Sequence, residues 1–242
     1  MMKWTSRREN DMTKKGTTIY FVRHGETYFN FYNRMQGWGN TPLTPKGEVD
    51  VRRSGRGLKD VKFDAVYTSD LTRTSDTAEL ILNESEQTPS DQEIILMPEF
   101  REIFFGSFEG EYNDTVYEKV AKHLGLKTAK EMFSDVNNFE RMSAFKELDP
   151  HGHAEDFMEF WMRVEQGLIK VIDNHRDTGD TILIVAHGGT IRLILENLIP
   201  DLDEPDGLLN ASVSVTHYED GFYRLDRYGD VSHFVEEKQL ED

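Results

Sequence analysis

Short apolar runs and longer runs of helical periodicity alternate along the chain. Thr18-Ile19-Tyr20-Phe21-Val22 is β-branched, aromatic and almost continuous in its apolarity, as a strand covered on both faces should be. Thr181-Ile182-Leu183-Ile184-Val185-Ala186 repeats that pattern more strongly. Phe63 to Tyr67 reads as a further strand, and so does Ile94 to Met97, stopped by Pro98. Between them lie helix signals. Thr44-Pro45 offers an N-cap followed by proline in the first turn, and Ser69-Asp70 caps a helix to about Leu82. From Glu155 to Arg176 the residues Phe157, Phe160, Trp161, Val164, Leu168, Val171 and Ile172 share one helical face. A helix from Thr190 follows, then strands around Ala211 to Tyr218 and Phe222 to Leu225. The alternation predicts an α/β fold with a helical or irregular insertion between about Phe104 and Gly152.

The ends differ from this middle. Residues 1–16 are polar, carry Arg7, Arg8, Lys14 and Lys15, and hold no apolar segment of the secretory kind. They are expected to form a disordered extension, with Met12 a candidate natural start. A single domain is expected over 17–235, and an acidic, solvated tail over 236–242.

Charge and composition narrow the function. Against 45 Asp and Glu stand 28 Lys and Arg, for a net charge of −17. Such a surface does not suit nucleic acid or an anionic membrane, both of which need clustered cations. No apolar run approaches the ~20 residues that cross a bilayer. The absence of cysteine removes disulfides, thiolate metal sites and thiol nucleophiles together. A soluble, cytoplasmic protein is expected.

Two strands end alike. The first runs into Arg23-His24-Gly25-Glu26-Thr27 and the other into His187-Gly188-Gly189-Thr190. In open α/β sheets the functional side chains gather beyond the carboxyl ends of the strands, so two histidines delivered there can face each other across a crevice. A glycine after each permits a sharp turn and a close backbone approach to a ligand.

With these residues the chain resembles the histidine phosphatase superfamily, the group that includes phosphoglycerate mutases and many acid phosphatases. The resemblance runs from about Thr17 to about Tyr228. It rests on Phe21 to Thr27, Asn30, Asn33 to Gly37, Pro42 to Gly47, Tyr67 to Thr74, Glu102 with Gly106 to Gly110, Val185 to Arg192 and Asn210 to Ser212, in the expected order. It implies a three-layer α/β sandwich with a mostly parallel central sheet and the insertion as a lid.

The resemblance also implies roles. His24 is the nucleophile that forms a phosphohistidine, and Glu102 is the proton donor, with Glu99 and Glu109 as nearby rivals. His187 stands at the same phosphate. Arg23, Arg73, Asn30, Gln36, Thr27 and Gly188 make up the phosphate and substrate site. No metal and no cofactor is implied, because guanidinium groups can supply the charge that stabilises a phosphoryl group in transfer. Asn210 and Ser212 are expected to brace the loops, and Glu26 and Arg192 to orient the site. Phe104, Phe105, Phe108, Tyr112 and Tyr117 suggest an apolar-walled mouth or lid packing.

One stretch departs from the family. Asp149-Pro150-His151-Gly152-His153-Ala154-Glu155-Asp156 superficially resembles a metallohydrolase ligand run, but its order is wrong for one, and relatives carry Gly-Glu-Ser about here. A helix start, with acids in the first turn, is the simpler reading. Three functions then compete. A phosphatase acting on a small phosphorylated metabolite is chosen over a cofactor-dependent phosphoglycerate mutase, because the segment from Ile103 to His151 lacks adjacent arginines and a mutase-like Arg-x-Tyr-Gly stretch. The third reading is a catalytically silent binding or regulatory module of the same fold, and the presence of every charged group the reaction needs speaks against it.

Overall fold

The computed structural model describes residues 16–200, 202 and 207–236. The expected extension before Gly16 and the tail beyond Glu236 lie outside the described residues.

Six strands form one sheet: β1 (Thr17–Arg23), β2 (Ala65–Thr68), β3 (Ile94–Leu96), β4 (Thr181–Ala186), β5 (Val213–Glu219) and β6 (Phe222–Asp230), in the order β3-β2-β4-β1-β5-β6. The neighbours β3-β2, β2-β4 and β4-β1 pair in parallel, while β5 and β6 add on antiparallel. The sheet is therefore mostly parallel. The helices are α1 (Tyr28–Phe31), α2 (Pro45–Gly57), α3 (Thr72–Asn83), α4 (Asn113–His123), α5 (Glu131–Ser134), α6 (Asn138–Leu148), α7 (Phe157–His175) and α8 (Gly188–Leu198), of which α2 and α3 cover one face of the sheet and α7 and α8 the other.

The period of two in the strands sorts their side chains between two cores. Ile19 and Phe21 of β1, with Ile182 and Ile184 of β4, pack with Phe160, Val164 and Leu168 of α7 and Ile191 and Leu195 of α8. Val22, Leu183 and Val185 face the other way, onto Val51 of α2 and Ala78, Ile81 and Leu82 of α3. The insertion has its own small core, in which Val116, Val120, Met132 and Phe145 surround Met35 and Phe108.

Two helix starts follow the sequence signals. Thr44 caps α2 by accepting from the Gly47 amide at 2.9 Å, with Pro45 in the first turn. Asp156 caps α7 in a reciprocal box with Glu159. Two features differ from the pattern-based expectation. Helix α3 begins at Thr72, with Leu71 at the cap and no side-chain cap bond, because Ser69 is engaged elsewhere. Strand β6 runs on to Asp230, and the chain then crosses α2, where the Val235 amide donates to Arg53 O at 3.0 Å.

Candidate active site

Strand register assembles the site. Arg23 lies opposite Ala186 in the parallel β1-β4 pair, so the next residue on each strand, His24 and His187, also come side by side. Their rings meet edge to face with centroids 5.2 Å apart.

The hydrogen bonds fix both tautomers. His24 Nδ1 lies 2.8 Å from the Gly25 carbonyl oxygen, which can only accept. Nδ1 thus carries the proton and Nε2 keeps its lone pair. His187 is oriented the opposite way. Arg73 donates to its Nδ1 from Nε at 3.2 Å and Nη2 at 3.0 Å, so the proton sits on Nε2 and is donated to Ser69 Oγ at 2.8 Å. Ser69 passes its own hydroxyl proton toward Thr74 Oγ1 at 2.8 Å, which donates to Leu71 O at 2.7 Å. Ser69 is the residue that pattern reading assigned to a helix cap; its work is to hold His187.

Both imidazoles are neutral. Burial, followed by the charges of Arg73 and Arg23, pushes His24 well below its ordinary 6.5. Burial and Arg73 do the same to His187. In the unfolded chain both would take up protons below about 6.5, where the folded protein resists them, so folding stability falls as pH drops through that value. Denaturation midpoints should therefore fall from pH 7 to pH 5, and His187→Asn should flatten the dependence; an equally steep profile in that variant would assign the loss to other groups.

Arg73 is fully buried, and all five of its N–H groups are engaged. Besides His187 they reach Gly39 O at 2.9 Å, Asn40 Oδ1 at 3.5 Å and Gly37 O at 2.6 Å. Burial lowers its pKa to about 10, with Glu102 and Glu109 opposing, so it remains a cation at neutral pH. Arg23 is less satisfied. Its Nη1 donates to Leu208 O, while Nε is buried with no partner among the described residues. An orphaned guanidinium N–H facing Gly188 is a donor that awaits an acceptor.

Asn30, Gln36 and Thr27 form one knot. Thr27 caps α1 and donates to Gln36 Oε1 at 2.6 Å; Asn30 Nδ2 reaches the same oxygen at 3.4 Å. Thr27 is fully buried, with its hydroxyl used within this knot. Asn210 bridges from behind, donating to His24 O at 3.0 Å and to Asn30 Oδ1 at 3.1 Å. The Ser212 carbonyl receives the Arg23 amide at 3.1 Å.

Glu102 stands over the start of α8. Its carboxylate accepts from the Gly189 amide at 2.9 Å, Thr190 Oγ1 at 3.1 Å and its neighbour amide Ile103 at 3.0 Å. The approach requires glycine: a Cβ on Gly189 would sit 2.6 Å from Glu102 Oε1. Its two rivals are occupied. Glu99 pairs with Lys170, and Glu109 accepts four amide N–H groups, from Gly37, Trp38, Gly39 and Phe105. Only Glu102 of the three lines the cavity at the site.

That cavity, about 260 Å³, is walled by Arg23, Asn30, Gln36, Glu102 and Gly188 at one end. Its lining also includes Arg34, Arg141 and Arg192, together with Phe105, Tyr117 and Phe145. His24, Arg73 and His187, 3%, 0% and 0% exposed, are more deeply buried than these walls. The aromatic residues expected at the mouth divide: Phe105 and Tyr117 reach the cavity, Phe108 is in the insertion core, Phe104 packs on Trp38 with centroids 4.8 Å apart, and Tyr112 lies under Arg34.

Pattern reading missed the support of Glu102. Arg163 on α7 donates to three backbone oxygens of the segment that carries it, Glu99 O at 2.9 Å, Arg101 O at 2.8 Å and Glu102 O at 2.7 Å. Glu155 neutralises the fork through both carboxylate oxygens, at 2.6 and 2.8 Å. After Gly152-His153-Ala154, Glu155 thus supplies the carboxylate for Arg163 and Asp156 the cap of α7. His151 and His153 are exposed and stacked, and the Asp149 between α6 and α7 is spent on the amides of His151, His153 and Ala154. Burial raises its pKa, but Ser107 and those amides prevail and hold the carboxyl far below the usual carboxylate range.

The chain is similar to known proteins in sequence and in fold. A family model described as histidine phosphatase superfamily (branch 1) matches residues 19–231. A metal-independent phosphoserine phosphatase of Arabidopsis thaliana is 33% identical over 218 residues, which is 90% of this chain and 83% of that protein. A 2,3-bisphosphoglycerate-dependent phosphoglycerate mutase of Bartonella henselae is 31% identical over 180 residues, covering 74% of this chain and 79% of its own. The crystal structure of a phosphoglycerate mutase from Bacillus anthracis strain Sterne superposes with a TM-score of 0.86 at 34% identity, over 93% of this chain and 97% of that one.

Proposed function

Because the chain belongs to the histidine phosphatase superfamily (branch 1), we propose that it hydrolyses small phosphate monoesters without a metal, through a phosphohistidine on His24. The observation that carries this reading is the disposition of His24: a neutral ring whose Nδ1–H is held by Gly25 O, leaving Nε2 to attack, beside two arginines. In the first step, which Glu102 enters in its protonated form, Nε2 bonds to phosphorus as the ester P–O bond breaks, and Glu102 gives the departing alkoxide its proton and is left as the carboxylate. In the second, Glu102 takes a proton from water as water attacks the phosphohistidine, releasing phosphate and free His24. Arg23, whose Nε–H has no partner among the described residues, and Arg73, after exchanging one of its present acceptors, stabilise the equatorial oxygens in both.

The charged lining of the cavity adds a preference. Arg23, Arg34, Arg141 and Arg192 line it against Glu102 and Glu155; Arg192 is paired with Glu196 and Glu155 with Arg163, so the balance still lies with the cations. On a chain of net charge −17 this local excess of cations favours a leaving group that carries an anionic group of its own. The same cations suit a mutase, whose substrate is also multiply charged.

One assay separates the two. EDTA-treated enzyme is given a carboxylated phosphomonoester and, separately, an uncharged alkyl phosphate. The expected result is release of inorganic phosphate, undiminished by the chelator and at least about tenfold faster for the carboxylated ester, equivalent to 1.4 kcal/mol. Transfer between phosphoglycerate hydroxyls outpacing release would make the enzyme a mutase, and activity restored only by added divalent metal would end the metal-independent reading.

A further inference from the structure

Gly37-Trp38-Gly39 joins three parts of the molecule. Its three successive amides all point at one carboxylate, that of Glu109 in the insertion, at 3.1, 3.0 and 2.8 Å. Its carbonyls at Gly37 and Gly39 point at the Arg73 guanidinium, at 2.6 and 2.9 Å. The Trp38 indole donates to Glu102 O at 2.9 Å, and the Arg101 guanidinium lies 4.5 Å over its ring. The loop thus stands between an anion on its amide side and a cation on its carbonyl side. Successive amides converging on one point make an anion-binding nest, and here the anion is supplied by the protein itself. The Trp38 N–H belongs to the same peptide as the Gly37 carbonyl, so its bond to the carboxylate polarises that oxygen to accept more strongly from Arg73, while the Gly39 carbonyl is aimed by the turn that the three amides impose. Glu109 also acts on Arg73 directly, as one of the two carboxylates that keep its proton on.

We propose that Glu109 is a positioning residue for the phosphate-binding arginine: by gathering the amides of residues 37–39 it turns the loop carbonyls onto Arg73 and fixes the guanidinium. This rests on the phosphatase reading of the same site, and it gives Glu109 a task other than the proton transfer for which its sequence position makes it a rival. Removing the charge should leave the amides to compete for water and the loop free to rotate its carbonyls away. A shift of about 1 Å in a phosphate-positioning group costs on the order of 10²-fold in rate.

The test is a double-mutant cycle in kcat/KM and in vanadate affinity measured by calorimetry, with Glu109→Gln, Arg73→Lys and the pair. Glu109→Gln alone should lose about 10²-fold in kcat/KM, mostly in kcat, and weaken vanadate in step. In the Arg73→Lys background, where no planar fork remains to be aimed, the added loss should be under about threefold. Glu99→Gln, whose carboxylate faces Lys170, should change neither. Multiplicative losses, or wild-type vanadate affinity in folded Glu109→Gln, would overturn the inference while leaving the phosphatase reading intact. A wild-type enzyme inert to both substrate and vanadate would instead sink that reading. Should circular dichroism show Glu109→Gln unfolded, the same cycle is run with Glu109→Asp, which keeps the charge and shortens its reach; there too, coupling with Arg73→Lys supports the inference and independence refutes it.

Discussion

Folded His24→Ala enzyme should turn over no phosphomonoester and accumulate no phosphoenzyme, a loss on the order of 10⁴-fold or more, as for removal of other covalent nucleophiles. The reason is positional. His187 is the other imidazole within reach, but its Nδ1 lone pair is bound by two Arg73 N–H groups and its Nε2 carries a proton held by Ser69. It has no free lone pair to offer phosphorus. A rapid acid quench would destroy a phosphoramidate, so the wild-type intermediate is trapped by a base quench and located by mass spectrometry, where the label should lie on His24. A label on His187 would reverse the assignment, and full activity in folded His24→Ala would remove covalent catalysis altogether. Vanadate should still bind that variant, because Arg23 and Arg73 remain.

Strands β1 and β4 were legible because they are buried on both faces. Val22 and Val185 are fully buried on one face of the sheet, Phe21 and Ile184 on the other, and a run apolar on every side reads as a strand from pattern alone. The two histidines were legible for the same reason, since each follows such a strand. What pattern could not show is which polar group meets which. Ser69 looks like a cap in sequence, and only the β2-β4 pairing brings it to His187, 118 residues away. Arg163 sits one turn and a half into α7, where a charged residue usually faces solvent; it binds three carbonyls because the turn at Pro98–Phe100 packs against that helix. Glu109 was legible as a carboxylate near the site but not as a ligand of four amides. Hydrogen bonds over such sequence separations leave no periodic trace, and so the scaffold of a site is harder to read than its reactive groups.

Glu102→Gln should part the substrates by leaving group. The amide keeps the shape of the side chain, and its oxygen can still accept from Gly189 N or Thr190 Oγ1, so the α8 start should hold its place. It has no acidic proton. Alkyl esters, whose alkoxide is a poor leaving group, should lose about 10²–10⁴-fold. Aryl esters with acidic phenols need little protonation as they depart, so their first step should be nearly unchanged. The second step then becomes limiting for them, because water attacking the phosphohistidine has lost its base; a burst of phenol followed by slow turnover is the expected trace, with phosphohistidine accumulating on His24. Wild-type enzyme should show a shallow dependence of kcat/KM on leaving-group pKa and the variant a steep one. A uniform loss across the series, with no burst, would mean that Glu102 serves to hold the start of α8 and that the proton comes from elsewhere. Glu99 and Glu109 are poor substitutes for that role, the one tied to Lys170 and the other closed off by the amides of residues 37–39 and Phe105.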